Sequence, residues 1–247
     1  MANQFSGFLS QINPETLIIY GNVTEPERVL AELEGSADEL KPLTNRYALL
    51  APSIDDLRLS SLGWIDITME QRMALTNARD LFQFCRGKIL RGVSQFAKPT
   101  NQFVVTYLDF VWSQIKTYKG ELEDGVGASE LFGIEDWVFS AWLPLPHANI
   151  LLPREFEPGA PQFAEIDIVF WHKGRIKAVV IEGTSTPIKS KQYRREFLCE
   201  NHPFLDLISV NKDCVAKGHF PKDAFSVPFC HYWRDLTLPI GPAPPLI

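Results

Sequence analysis

The chain has 247 residues, 45% apolar and 22% charged, with a net charge of -6. Its 17 Phe, 6 Trp and 6 Tyr exclude a disordered polymer, because they supply the apolar area a packed core needs. No stretch approaches the roughly 18 uncharged apolar residues that cross a bilayer, so no membrane association is expected.

Met1 to Asn13 has neither a basic start nor an apolar run, so no secretory signal is expected. The 4 Cys are irregularly spaced, which argues against a disulfide framework and for a reducing, cytoplasmic setting. The acidity is local. Residues 1–70 hold eleven acidic and four basic side chains, and the other 177 residues are nearly balanced. Lys173, Arg175, Lys177, Lys189, Lys191, Arg194 and Arg195 fall in one window that contains a single acid, Glu182.

In chain order, Leu17 to Tyr20 reads as a short buried strand ending at Gly21-Asn22. Thr24-Glu25-Pro26-Glu27 opens a helix whose apolar stripe is Val29, Leu30 and Leu33. Tyr47 to Leu50 is a second strand candidate. From Thr68 to about Tyr118 the spacing is helical, with a break expected near Lys98-Pro99-Thr100. A polar segment with three glycines, Tyr118 to Gly127, marks a soft boundary. This divides the chain into an N-terminal α/β-helical cap region, 1–124, and a core with a Pro-rich tail, 125–247. In the second part, Ser129 to Trp142 reads as a helix and Asn149 to Leu152 as a strand. Two further strands, Glu165 to Trp171 and Arg175 to Gly183, are joined by a turn at His172-Lys173-Gly174. A helix with Pro187 at its first position runs to about Glu200, and Asp206 to Val210 is a last strand. This order implies an α/β layer built on a mixed sheet.

The chemistry is concentrated on one hairpin. If the turn is centred between Lys173 and Gly174, Ile168 faces Val179 and Ile166 faces Ile181. The opposite face then carries Glu165 across from Glu182, with Asp167 across from Val180 and diagonal to Glu182. Like charges set opposite one another destabilise a sheet by up to about 1 kcal/mol. A divalent cation, Mg²⁺ or Mn²⁺, is one explanation: it takes a few carboxylate oxygens, acidifies a bound water and stabilises charge building on a phosphodiester. The basic residues downstream would then lie along a phosphate path. The alternative is a solvated face on which neighbouring Arg and Lys offset the acids.

These residues resemble the PD-(D/E)XK nuclease superfamily, whose members share a restriction-endonuclease-like fold. Asp167, in Glu165-Ile166-Asp167, stands at the family's metal-binding Asp, without the usual preceding Pro. Glu182, in Val180-Ile181-Glu182-Gly183-Thr184, stands at the acidic position of (D/E)XK. The helix around Gly133 to Trp142 is similar to the family's first core helix; Glu135 is the residue that would complete the metal shell, with Glu130 as the alternative. The resemblance covers about residues 128–212. It implies a mixed sheet flanked by helices, a Mg²⁺- or Mn²⁺-dependent endonuclease acting on DNA, and metal ligation by Asp167, Glu182 and Glu135. Thr184 occupies the place of the family's Lys. Lys189 or Lys191, on the following helix, would take over the orientation of the nucleophile, and Lys191, Arg194 and Arg195 would contact nucleic acid. Under this reading the N-terminal half is an acidic cap that restricts access or pairs subunits into a homodimer. The second reading is a nuclease-fold protein that has lost cleavage and acts as a nucleic-acid-binding or scaffold module.

Other motifs carry less. Cys199-x-x-His202 has zinc-like spacing, but Cys214, His219, Cys230 and His231 are too scattered to complete a site. There is no Gly-x-Ser-x-Gly elbow and no phosphate-binding glycine loop. His147, in Leu-Pro-His-Ala between a helix and a strand, reads as structural.

Overall fold

The computed structural model describes residues 17–21, 23–35, 47–49, 58–59, 77–117, 138, 141–152, 162–172, 175–183, 189–202 and 205–225. Along the chain these form β1 (Ile18–Tyr20), α1 (Pro26–Gly35), β2 (Tyr47–Leu49), α2 (Ala78–Arg91), α3 (Lys98–Thr117), β3 (Leu145–Leu151), β4 (Phe163–His172), β5 (Arg175–Glu182), α4 (Lys189–Asn201), β6 (Leu205–Asn211), α5 (Lys212–Ala216) and α6 (Lys222–Phe225). The strands make one mixed six-stranded sheet in the order β2-β1-β3-β4-β5-β6. Every neighbouring pair is antiparallel except β5 with β6, which is parallel and reached through α4. The chain is therefore an α/β protein. Strands from 1–124 and from 125–247 share this sheet, because β1 pairs with β3.

Alternation along β4 sorts the two faces. Ala164, Ile166, Ile168 and Phe170 point one way and are buried. Phe170 meets Tyr107 of α3 and Phe225 of α6 with ring centroids 4.9 and 4.8 Å apart. This is the main core. On the opposite face α1 covers one part through a smaller cluster, in which Val29 and Leu30 pack on Ile19, Leu151 and Phe163. The polar helix α4, with Leu198 as its buried residue, covers another part over β4. Glu165 and Asp167 belong to this second face and lie between α1 and α4.

Three expectations are corrected in detail. Lys98-Pro99-Thr100 opens α3 rather than breaking it; the break is residues 92–97, and proline is tolerated in a first helical turn because its missing N–H has no partner to lose there. Trp142 is not helical: Val138 lies in a short 3₁₀ turn, and Trp142 forms a β-bridge with Arg58. Leu143-Pro144-Leu145-Pro146 follows directly, and residues before proline are held extended. For the same reason β3 starts at Leu145, earlier than expected, so His147 sits inside a strand. Trp171, near the end of β4, is buried. The linker 118–127, Glu130, Glu135, Thr184 and the Pro-rich tail lie outside the described residues. No described helix is long and apolar enough to cross a membrane.

Candidate active site

The site is built where two strands part. β4 and β5 pair in the expected register from His172↔Arg175 to Ile168↔Val179, and there the pairing stops. Ile166 does not pair with Ile181, nor Glu165 with Glu182. Both outer neighbours continue: β3 stays paired with β4 as far as Phe163, and β6 with β5 as far as Glu182. The result is a fork between two anchored strands. Oδ2 of Asp167 fills it, accepting the N–H of Ile181 at 2.9 Å.

Glu165, Asp167 and Glu182 all line one cleft of about 740 Å³, together with Lys191, Gln192 and Arg195 from α4. Lys191 Nζ pairs with Glu165 Oε2 at 2.7 Å. Arg195, one turn further along α4, donates from Nε to the Glu165 carbonyl oxygen at 2.6 Å and holds its Nη2 4.0 Å from Asp167 Oδ2. The two basic candidates at i and i+4 thus turn to the cleft. Lys189 and Arg194 do not line it. Glu182 is exposed at the end of β5, and Gly183 beyond it takes φ +83. The strand ends at Glu182 and Gly183 forms a turn; Thr184, at the position of the family's Lys, lies outside the described residues.

Charge at the fork is not balanced by ordinary pairing. Burial pushes the Asp167 carboxyl above the usual carboxylate range, outweighing the Ile181 N–H and the Arg195 charge, which favour ionisation. Its Oδ1 has no hydrogen-bond donor among the described residues. The Glu165–Lys191 pair is exposed, 49% and 42% at the two side chains, and such pairs contribute only about 0–1 kcal/mol.

Two neighbouring side chains were passed over in the sequence. Pro146↔Ile168 and Ala148↔Ile166 place His147 opposite Asp167. His147 does not itself pair, because its φ is +49; a left-handed backbone at a bulky residue costs of order 1–3 kcal/mol. Its Nε2 accepts the N–H of Ser94 at 3.1 Å, and burial holds the imidazole below its ordinary pKa although Asp167 and Glu165 pull the other way. Asn149, buried and opposite Glu165, donates from Nδ2 to the His147 carbonyl at 3.3 Å. Both line a smaller lobe of about 280 Å³, which shares Glu165, Asp167 and Arg195 with the main cleft. The number of residues between the two strands leaves the β3–β4 register open in the sequence, which hid this pairing.

The donor set suits a hard divalent cation. Mg²⁺ is commonly held by one or two carboxylates and completed by water and substrate phosphate oxygens, which Asp167 and Glu182 would supply with room to spare. Among the described residues no group of three or more His, Cys, Asp or Glu side chains is placed to hold a metal ion. No protein-family model, curated protein or solved structure matches the chain.

Proposed function

We propose that the protein is a divalent-metal-dependent nuclease that hydrolyses phosphodiester bonds of DNA, with the restriction-endonuclease-like fold of the PD-(D/E)XK superfamily. The observation that carries this is the fork: a desolvated Asp167 and an exposed Glu182 open into one cleft beside Lys191 and Arg195. The run β3-β4-β5-α4-β6, with its single parallel pair, supports the same reading. Asp167 and Glu182 would hold Mg²⁺ or Mn²⁺. Glu135 belongs to the proposed shell on the resemblance alone. The cation would acidify an attacking water and offset charge on the phosphodiester.

The chain's own groups do the rest. Lys191 Nζ, positioned by Glu165, orients the nucleophile. Arg195 keeps its Nη atoms for a phosphate, because Nε is already bonded to the Glu165 carbonyl. Lys189 and Arg194, outside the cleft, are left for more distant phosphates of a bound strand.

The test is cleavage of duplex and single-stranded DNA with Mg²⁺ or Mn²⁺ by wild type and by Asp167→Ala, Glu182→Ala and Lys191→Ala. Metal-dependent cleavage lost in the first two, and reduced at least about a hundredfold in the third, is the expected result. Wild type indistinguishable from Asp167→Ala overturns it. Thr184 at the motif Lys position favours a second reading, a fold that binds nucleic acid without cutting it. Salt-sensitive DNA binding weakened by Arg195→Ala, with no turnover in any metal, would select that one.

A further inference from the structure

We propose that His147 is a substrate-binding residue, donating from Nδ1–H to a non-bridging oxygen of a phosphodiester that enters the smaller lobe of the cleft. This rests on the nucleic-acid reading of the same site and adds to it a second contact point on the far side of Asp167.

Three observations place the donor. The β3–β4 register sets His147 opposite Asp167, the residue at the mouth of the fork. The lobe of about 280 Å³ beside it is bounded by the start of α1, at Thr24 and Pro26, and by Arg195 on the other side. The Ser94 N–H donates to Nε2 at 3.1 Å, so that nitrogen keeps its lone pair and the ring proton sits on Nδ1. Among the described residues nothing accepts from Nδ1. A neutral N–H donor is therefore fixed in tautomer by the backbone of the 92–97 turn, next to the carboxylates.

The chemistry of the lobe selects the ligand group. Glu165 and Asp167 make it hostile to a free anion, whereas Arg195 and the His147 N–H supply a cation and a donor. An oxygen of a phosphodiester whose charge is shared with a divalent cation at Asp167 suits that mixture; a carboxylate or an isolated phosphate does not. The left-handed backbone at His147 fits a residue held for its ring, because glycine or asparagine would adopt φ +49 with less strain.

That backbone also makes the test clean. His147→Asn tolerates the conformation and carries an N–H donor at the δ position. His147→Gln moves the donor to the ε position, and His147→Gly keeps the backbone and removes the ring. Each variant is measured for KM and kcat on a single-stranded DNA oligonucleotide with Mg²⁺, and for binding of the fluorescein-labelled oligonucleotide with Ca²⁺ by anisotropy. His147→Gly and His147→Gln should weaken binding and raise KM about tenfold, as loss of one hydrogen bond to a charged oxygen does. His147→Asn should restore most of it, with kcat changed less than KM. Wild-type binding by His147→Gly, or rescue by Gln equal to rescue by Asn, overturns the role of His147 while leaving the nuclease reading intact. A wild type that cleaves nothing but binds the oligonucleotide sinks catalysis, and the binding arm still decides on His147. A wild type that neither cleaves nor binds overturns both.

Discussion

Replacing Asp167 by Asn and by Ala separates two things the carboxylate does at the fork. Oδ2 accepts the Ile181 N–H at 2.9 Å in place of a ladder carbonyl, and Ile181 is 2% exposed. Alanine leaves that N–H without its acceptor, which costs about 1–3 kcal/mol when the group is buried. Asparagine keeps an oxygen for Ile181 and removes a charge that burial disfavours. At neutral pH, without divalent metal, Asp167→Asn should match or exceed wild type, and Asp167→Ala should be less stable than Asp167→Asn by about 1–3 kcal/mol. In a chain of this size each kcal/mol moves Tm by about 2–4 °C, so thermal or urea unfolding in EDTA resolves the difference.

The pH dependence has a definite sign. Burial raises the folded-state pKa of Asp167 above its ordinary 3.8. Below that ordinary value both states are protonated and the penalty vanishes; as pH rises through the raised folded value, the unfolded chain is already ionised and wild type loses stability. The advantage of Asp167→Asn over wild type should therefore grow from about pH 4 toward neutrality. Coincident melting of Asp167→Ala and Asp167→Asn, or a wild type more stable than Asp167→Asn by the same amount at every pH, would refute the reasoning.

Two further outcomes follow from the packing. Phe225 of α6 sits among the rings of Phe103, Tyr107, Trp142 and Phe170, with centroids 4.8 to 6.3 Å away; Phe225→Ala should cost about 3–5 kcal/mol in urea unfolding, and a loss under 1 kcal/mol would mean α6 is not part of the core. Burial pushes the Cys85 thiol up to about 12, whereas Cys214 is exposed; iodoacetamide at pH 8 followed by peptide mapping should modify Cys214 in the native protein and Cys85 only after denaturation, and early modification of Cys85 contradicts its placement in α2.

How much of this was legible in the sequence depends on loop length. The β4–β5 register could be counted because a two-residue turn fixes it, and the pairing His172↔Arg175 to Ile168↔Val179 follows that count. The end of the pairing could not be read, because it depends on a side chain entering the ladder, and Asp167 carries no local signal for that. The place of Lys191 and Arg195 in the cleft, with Lys189 and Arg194 outside it, was open for a related reason. Spacing on α4 groups residues by face, but only packing against β4 decides which face turns inward. His147 was hidden twice over. Two prolines flanking Leu145 read as loop, yet Pro146 has no N–H to lose and its carbonyl accepts the Gly21 N–H at 2.7 Å just beyond β1. Glu135 and Thr184 fall outside the described residues, so their roles stay with the resemblance.

The energetics also bear on why such a cluster exists. Along β4 every position from Ile166 to Trp171 is buried except Asp167, which reaches the surface through the cleft and the smaller lobe that it lines. Apolar side chains in place of Asp167 and Glu165 would remove the desolvated carboxylate and the like charge beside it. The ion pair of Lys191 with Glu165, between α4 and β4, is too exposed to offset those terms. Local costs concentrated on one strand pair are what the proposed binding of a charged ligand would account for. On the proposed reading, a cation and a phosphodiester together would neutralise both the carboxylates and the facing Lys191 and Arg195.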